Sequence, residues 1–386
     1  MNLVLYANKI FDGENKELIE DGVIVVEDKK IQKIGKKKNL KLPLNAKEID
    51  LSNYTLMPGL IDGHTHLCLS ADIKDFLIKN NSKNKIFKRA LDNIKKDISN
   101  GITTIRCPGE VSYIDVIFKK IIKYNIKMGP RIFSAGKGIR SSEGHGFIGH
   151  PVDDINQIDN IFDENIRNGA DFFKFYITGL LPNNNKIPYY YNKNMIKKII
   201  DLAHKTKMEI SAHAVGGEGL IFALKSGIDT IEHGYLIDKK AIELFVENQT
   251  RLVMTNTFMF NDQVNKNLHD KNVAEEIKSY RYDMKKTFAD IFDSNMDLSL
   301  GTDALHGQLW REIKVATELG LSNFRALNIA TYENAKLLNM EKDIGSLKPD
   351  KKADIIGING NPLNKINDLS KVDFVMKDGL IIKGKE

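Results

Sequence analysis

Eight short apolar runs recur through the middle of this chain, and they constrain its fold more than any other feature. They are PGLIDGHTHLCL, GITTIRCPG, PRIFSAGKG, DFFKFYITG, MEISAHAVG, DTIEHG, RLVMTNTF and DLSLGTDA. Each reads as a strand and is followed by a stretch of helical character. In NKNMIKKIIDLAHKTK, for example, Met195, Ile196, Ile199, Ile200 and Ala203 fall at helical spacing. Strands that alternate with helices imply parallel pairing and right-handed crossovers. Eight such units over roughly 285 residues suit a (β/α)8 TIM-like barrel, an α/β fold, placed at residues 58–343.

The two ends have a different rhythm. NLVLYANKIFDG, GVIVVEDKKIQKIG and AKEIDLSNYTLMPG read as short strands with tight turns, as do KKADIIGING and VDFVMKDGLIIKG, where Asp-Gly marks a hairpin. Residues 1–57 and 344–386 are therefore expected to form one accessory small β domain built from both termini. Hydrophobic residues make up 42% of the chain and charged ones 28%, with no apolar run long enough to span a membrane. The first residues lack a secretory pattern, and two cysteines imply no disulfide framework, so a cytoplasmic setting is expected. The net charge of +6 is mild, and the lysine run GKKKNLKL lacks interleaved aromatics, which argues for a solvated loop and against nucleic-acid binding.

In such a barrel the chemistry sits at the C-terminal ends of the strands. His64 and His66 end the first strand, and their spacing of two points both imidazoles to one side. Lys174 lies in the fourth strand, His213 in the fifth, His233 in the sixth and Asp303 in the eighth. Singly, each histidine reads as well as a hydrogen-bonded core residue, and Asp303 as a helix cap. Their joint placement on one rim favours a metal site. His204, on a helix face, is assigned no chemistry. Lys174 alternates with Phe173 and Phe175 and should point inward, where burial favours a neutral amine. Such an amine can take up carbon dioxide as a carbamate; a salt bridge to Asp303 or to a substrate carboxylate is the alternative.

With these motifs the chain resembles the amidohydrolase superfamily over essentially its whole length. PGLIDGHTHL matches the family's HxH strand, and IGSLKPDKKADIIGINGNPL its return into the β domain. The resemblance implies two divalent metal ions, zinc first and manganese or iron otherwise, held by His64, His66, Lys174, His213, His233 and Asp303 and bridged by carboxylated Lys174. GADFFKFYITG, SAHAVGGEGLIFALKSGIDTIEHG and LSLGTDALHG are most similar to the imidazolonepropionase-related branch, which includes prolidase-like enzymes. Lys174 tilts toward its two-metal, peptidase-like members. Val215 departs from the aromatic or histidine that many relatives carry there.

A metal-bound hydroxide would attack an amide carbonyl, with Asp303 as general base and then acid. His145, between glycines in the loop after the third strand, is a candidate oxyanion donor or simply an exposed loop residue. Arg140 and Tyr235 are candidate substrate contacts, and His150 reads as structural. Trp310 and His306 either shape the pocket wall or pack. The expected function is hydrolysis of a small amide, dipeptide-like or N-acyl amino acid substrate. The alternatives are a mononuclear cyclic amidohydrolase, a heterocycle deaminase, or a non-catalytic barrel protein. Glu218, five positions after His213, does not make the HxxE arrangement that deamination would favour. Homo-oligomerisation stays open.

Overall fold

The computed structural model describes residues 2–70, 82–268 and 271–384. Met1, Lys385 and Glu386, at the limits of the expected β domain, lie outside the described residues. The chain opens with β1 (Asn2–Ile10), β2 (Ile19–Glu27), β3 (Lys30–Lys36) and β4 (Lys47–Pro58). β2 pairs antiparallel with β1 and β3, whereas β4 runs parallel to β1. Leu3, Leu5, Ala7, Ile24 and Val26 fill one face, which is the period-2 alternation their sequence carries.

The middle then alternates strand and helix. Eight strands each lead to a helix: β5 (Leu60–Asp62) to α1 (Lys83–Ser99), β6 (Ile102–Cys107) to α2 (Ile114–Tyr124), and β7 (Arg131–Ser134), through the two-residue strands β8 (Ile139–Arg140) and β9 (His150–Pro151), to α3 (Ile155–Asn168). β10 (Phe173–Tyr176) leads to α4 (Lys193–Lys205), and β11 (Ile210–Gly216) to α5 (Gly217–Lys225). β12 (Thr230–Leu236) precedes α6 (Lys239–Asn248), β13 (Arg251–Met254) precedes α7 (Lys271–Phe292), and β14 (Leu298–Leu300) precedes α8 (Leu309–Glu318).

Ser82, Asp154, Asn192 and Asp238 cap α1, α3, α4 and α6 by accepting from backbone N–H groups of the first turn. On α4, Ile196, Ile199, Ile200 and Ala203 are buried, while His204 stays on the outer side and pairs with Asp229 at 2.9 Å. Every residue of β5, β6, β10, β11 and β14 is buried, which is why these segments read as apolar runs without alternation.

The parallel strands form two sheets, β5-β6-β7 and β14-β13-β12-β11-β10-β8-β9. Hydrogen bonds span both gaps between them. Asp171 N donates to Ser134 O at 2.7 Å beside β7, and Gly63 N to Leu300 O at 2.9 Å beside β14. Asp303 N donates to His64 O at 2.7 Å, within a parallel bridge from Thr65 to Asp303.

The chain finally returns to the first sheet. β15 (Ile355–Ile358) pairs with β4, followed by β16 (Val372–Lys377) and β17 (Leu380–Lys383). Asp378 and Gly379 both have positive φ, 47° and 73°, as a two-residue hairpin of this hand requires. The result is a seven-stranded mixed sheet from both termini beside the parallel α/β region, which is an α/β fold. Among the described residues no helix is long and apolar enough to cross a membrane.

Candidate metal centre

The C-terminal ends of the parallel strands surround a cavity of about 120 Å³. His64 and His66 follow β5, Lys174 lies in β10, His213 in β11 and His233 in β12, Asp303 follows β14, and all six line it. His64 Nε2 and His66 Nε2 are 3.2 Å apart, and Asp303 Oδ1 lies 3.2 Å from the first and 3.5 Å from the second. The ring of His233 sits 5.0 Å from that of His64 and 4.5 Å from that of His213.

Local structure holds these groups in place. Asp62, buried at the end of β5, accepts from His64 N at 3.1 Å and from the Thr302 hydroxyl at 2.6 Å, which ties the first and last strands together. His233 and Asp303 adopt left-handed backbone conformations, φ 79° and 63°. At His233 this breaks the strand alternation, so that consecutive residues Glu232 and His233 both serve the same site.

Each imidazole of the first pair is oriented from behind. His64 Nδ1 contacts Glu232 Oε2 at 2.6 Å, and His66 Nδ1 contacts the Gly109 carbonyl at 2.8 Å. His233 Nδ1 contacts Thr255 Oγ1 at 2.8 Å. An acceptor on Nδ1 fixes the proton there and leaves Nε2 as a lone pair, the form that ligates metal. Glu232 is itself held by Arg106 at 2.8 Å and by the Ser211 hydroxyl.

Burial opposes charge on Glu232 and Asp303. Arg106 and His64 nevertheless hold Glu232 far below the usual carboxylate range, and His64 does the same for Asp303. Burial together with the neighbouring His64 lowers His66 to about 3, and burial drives His213 and His233 well below an ordinary histidine. Three imidazoles are thus kept neutral, as ligands must be. Lys174 is fully buried, and burial lowers its ammonium to about 8.

Two atoms decide how the donor set fits a metal. Lys174 Nζ and His213 Nε2 are buried, line the cavity and have no hydrogen-bond partner among the described residues. Unsatisfied buried polar atoms are costly, and two of them aimed into one imidazole- and carboxylate-lined cavity fit a bound cation with an additional anionic ligand. His64, His66 and Asp303 by themselves bring three ligand atoms within 4.8 Å of one another.

The other expected site residues divide. His145 lines the cavity with its ring 4.6 Å from that of His213. Tyr235 also lines it, its hydroxyl 2.6 Å from Thr255 Oγ1 and 3.3 Å from His233 Nδ1. Arg140 is not among the described residues that line the cavity. Its guanidinium folds back on the carbonyls of Ser141 and Ser142, at 2.8 and 2.9 Å, and stabilises its own loop. His306 stands behind the site, bonded to Asp97 and to the His66 carbonyl, and Trp310 packs on the core with the Arg311 guanidinium 4.7 Å from its ring. For these two the packing reading holds. His150 is exposed, and its backbone N–H donates to Gly138 O.

Sequence reasoning missed Glu232 and Tyr176. Glu232, a lone acid inside an apolar strand, was itself the available signal. The Tyr176 ring lines the cavity and sits in a slot made by glycines of the neighbouring loop. A Cβ on Gly146 would lie 2.4 Å from Tyr176 Cδ1, and one on Gly149 3.0 Å from Cε2. Leu69, Phe147, Ile148, Leu180, Phe258 and Met259 complete an apolar wall opposite the donors.

The amidohydrolase family model matches residues 55–382, most of the chain. The chain belongs to the amidohydrolase family. This amidohydrolase is a hydrolase whose relatives act on carbon–nitrogen bonds. It is 23% identical to ochratoxinase of Aspergillus niger, over 99% of this chain and 86% of that one. It is 24% identical to imidazolonepropionase of Picrophilus torridus, over 96% and 93%. Among solved structures, a Xaa-Pro dipeptidase with methionine bound in its active site superposes with a TM-score of 0.88 at 27% identity, covering both chains completely.

Proposed function

We propose that this amidohydrolase hydrolyses an amide bond in a dipeptide-like or N-acyl amino acid substrate at a two-metal centre. In this reading His64, His66, Lys174, His213, His233 and Asp303 are the ligands, with Lys174 carboxylated as the bridge and zinc as the first-choice metal. The observation that carries the reading is the pair of partnerless buried atoms, Lys174 Nζ and His213 Nε2, facing the same cavity as the His64–His66–Asp303 cluster. The likeness to a Xaa-Pro dipeptidase supports the substrate class.

We further read residues 58–343 as a (β/α)8 barrel, closed through the bonds beside Ser134 and between His64 and Asp303. Residues 2–57 and 344–384 are read as the accessory β domain.

When bound, the metals supply Lewis-acid polarisation of the scissile carbonyl and a nucleophilic water of lowered pKa. Asp303, whose side chain is 27% exposed, faces that space and moves a proton from water to the leaving nitrogen through its carboxylate. His145 and Tyr235 bind the substrate's polar groups. The cavity is smaller than typical ligand pockets of about 300–1,000 Å³, so it holds the reacting end of the substrate. Its wall of Leu69, Phe147, Ile148, Leu180, Phe258 and Met259 suits an apolar side chain there.

The test combines metal analysis with a library of dipeptides and N-acyl amino acids. Two metals per chain, activity lost to a chelator and restored by Zn²⁺, and preference for apolar residues are expected. One metal with an unmodified Lys174, and ring opening of a cyclic amide in place of dipeptide cleavage, would overturn the reading.

A further inference from the structure

A second cavity, of about 360 Å³, lies at the opposite ends of the same strands. Arg131 at the start of β7 and Asp171 just ahead of β10 line it on the parallel side. Lys377 and Asp378 of the β16–β17 hairpin face them from the terminal sheet. Six cationic side chains line this cleft against two carboxylates.

Internal pairing leaves much of that charge over. Lys119 is matched by Asp171 at 2.6 Å. Arg131 is held by Asp354 and Asp378, each at 2.9 Å, and Lys352 shares Asp378 at 3.2 Å. No described carboxylate pairs with Lys29, Lys123 or Lys377. The first two are exposed, as a rim residue should be. Lys377 is only 2% exposed, and among the described residues its ammonium donates only to the Ile126 carbonyl, at 3.3 Å.

A buried ammonium in no ion pair, with carboxylates acting on it only from a distance, is costly and favours a further anion. Burial, reinforced by Arg131, already lowers Lys377 to about 8, with Asp378 and Asp354 too weak to offset it. Ile122, Ile126, Ile132 and Phe133 form the remaining wall and strengthen any charge interaction within the cleft by excluding water.

We propose that this cleft binds a small phosphate-bearing anion, with Lys377 at its floor and Lys29 and Lys123 at its rim. Three unpaired ammonium groups around one space call for a multiply charged anion with several acceptor oxygens, which a monocarboxylate does not provide. Its contacts come from the terminal sheet (Lys29, Lys377) and from α2 (Lys123), so the bound anion pins the two regions together. A ligand that binds only the folded chain raises its melting temperature with concentration.

The test is calorimetric titration of the full chain with pyrophosphate, with chloride at matched ionic strength as the control and thermal melts in parallel. Saturable binding near one per chain is expected, weakened at least tenfold in Lys377→Met and in Lys123→Ala. Lys123 is exposed, so its variant carries the test even if Lys377→Met fails to fold. An ADP arm separates the sources: tighter binding than pyrophosphate assigns a nucleotide, equal or weaker binding assigns free phosphate. Heat that chloride reproduces, or parent-like binding by the variants, overturns the proposal.

Discussion

The two ends of the parallel strands are charged by opposite means. At the C-terminal ends, burial keeps His66, His213 and His233 neutral, Glu232 and Asp303 hold His64 above an ordinary histidine and are themselves kept ionised by Arg106 and His64, and two nitrogens have no hydrogen-bond partner among the described residues. At the N-terminal ends, ammonium groups crowd a cleft with too few carboxylates. The first arrangement suits a cation and, on the inference above, the second suits an anion. One scaffold thus places donor-rich and acceptor-poor surfaces at opposite poles, and its strand ends decide which is which. Rigid strand termini suit the reacting end, because a ligand displaced by 1 Å misses its geometry. Long flexible lysines suit the other, where only charge must be met.

The strongest way to break this contrast is at the donor pole. Asp303→Asn should lower amide hydrolysis by roughly 10²–10⁴-fold, the usual worth of a positioned proton-transfer group. Lys174→Ala should fall as far and bind fewer metal ions, counted by elemental analysis. Parent-like turnover in either variant would remove the donor pole's assigned chemistry.

Glu232→Gln comes next. It weakens the acceptor behind His64 Nδ1, so metal affinity measured by chelator competition should drop roughly 10–100-fold. Unchanged affinity would mean that His64 needs no support from Glu232. Gly146→Ala should cost more than about 1 kcal/mol in chemical denaturation, because φ is 93° and the Tyr176 ring blocks the new methyl. Metal content should stay at the parent level while kcat/KM falls.

The smallest effect is expected at the other pole. Lys377 titrates near 8 when folded and near its ordinary 10.5 when unfolded. Between those values the unfolded chain binds more protons, so this group's contribution makes stability rise with pH. Without added anion, Lys377→Met should flatten that rise relative to the parent and be the more stable chain below pH 8. Denaturant midpoints from pH 7 to 10 measure both.

What the sequence reveals follows from how local each feature is. The eight strands are readable because their residues, wholly buried in five of them and mostly buried across the rest, are largely apolar, and the six proposed donors because they interrupt those runs in order. The Asp-Gly hairpin at Asp378–Gly379 is equally local. Glu232 escapes because simple alternation sends it and His233 to opposite faces, and the left-handed turn at His233 cannot be read from residue types. The own-loop bonding of Arg140 is hidden for a related reason: the carbonyls of Ser141 and Ser142 that it satisfies are not visible in the side-chain order. The lysine cleft is assembled from distant segments. The lysine run at 35–42, by contrast, is solvated as its composition suggests, with Lys33 bonded to the Lys41 carbonyl.

The glycine slot around Tyr176 has a kinetic consequence. The ring belongs to the strand that carries Lys174, and the loop that closes over it carries His145. Swinging that loop aside as a lid would strip Gly146 and Gly149 from the Tyr176 ring and uncover it, which opposes opening. Turnover should then proceed without a gating step, insensitive to added viscogen at saturating substrate, and limited by bond cleavage instead.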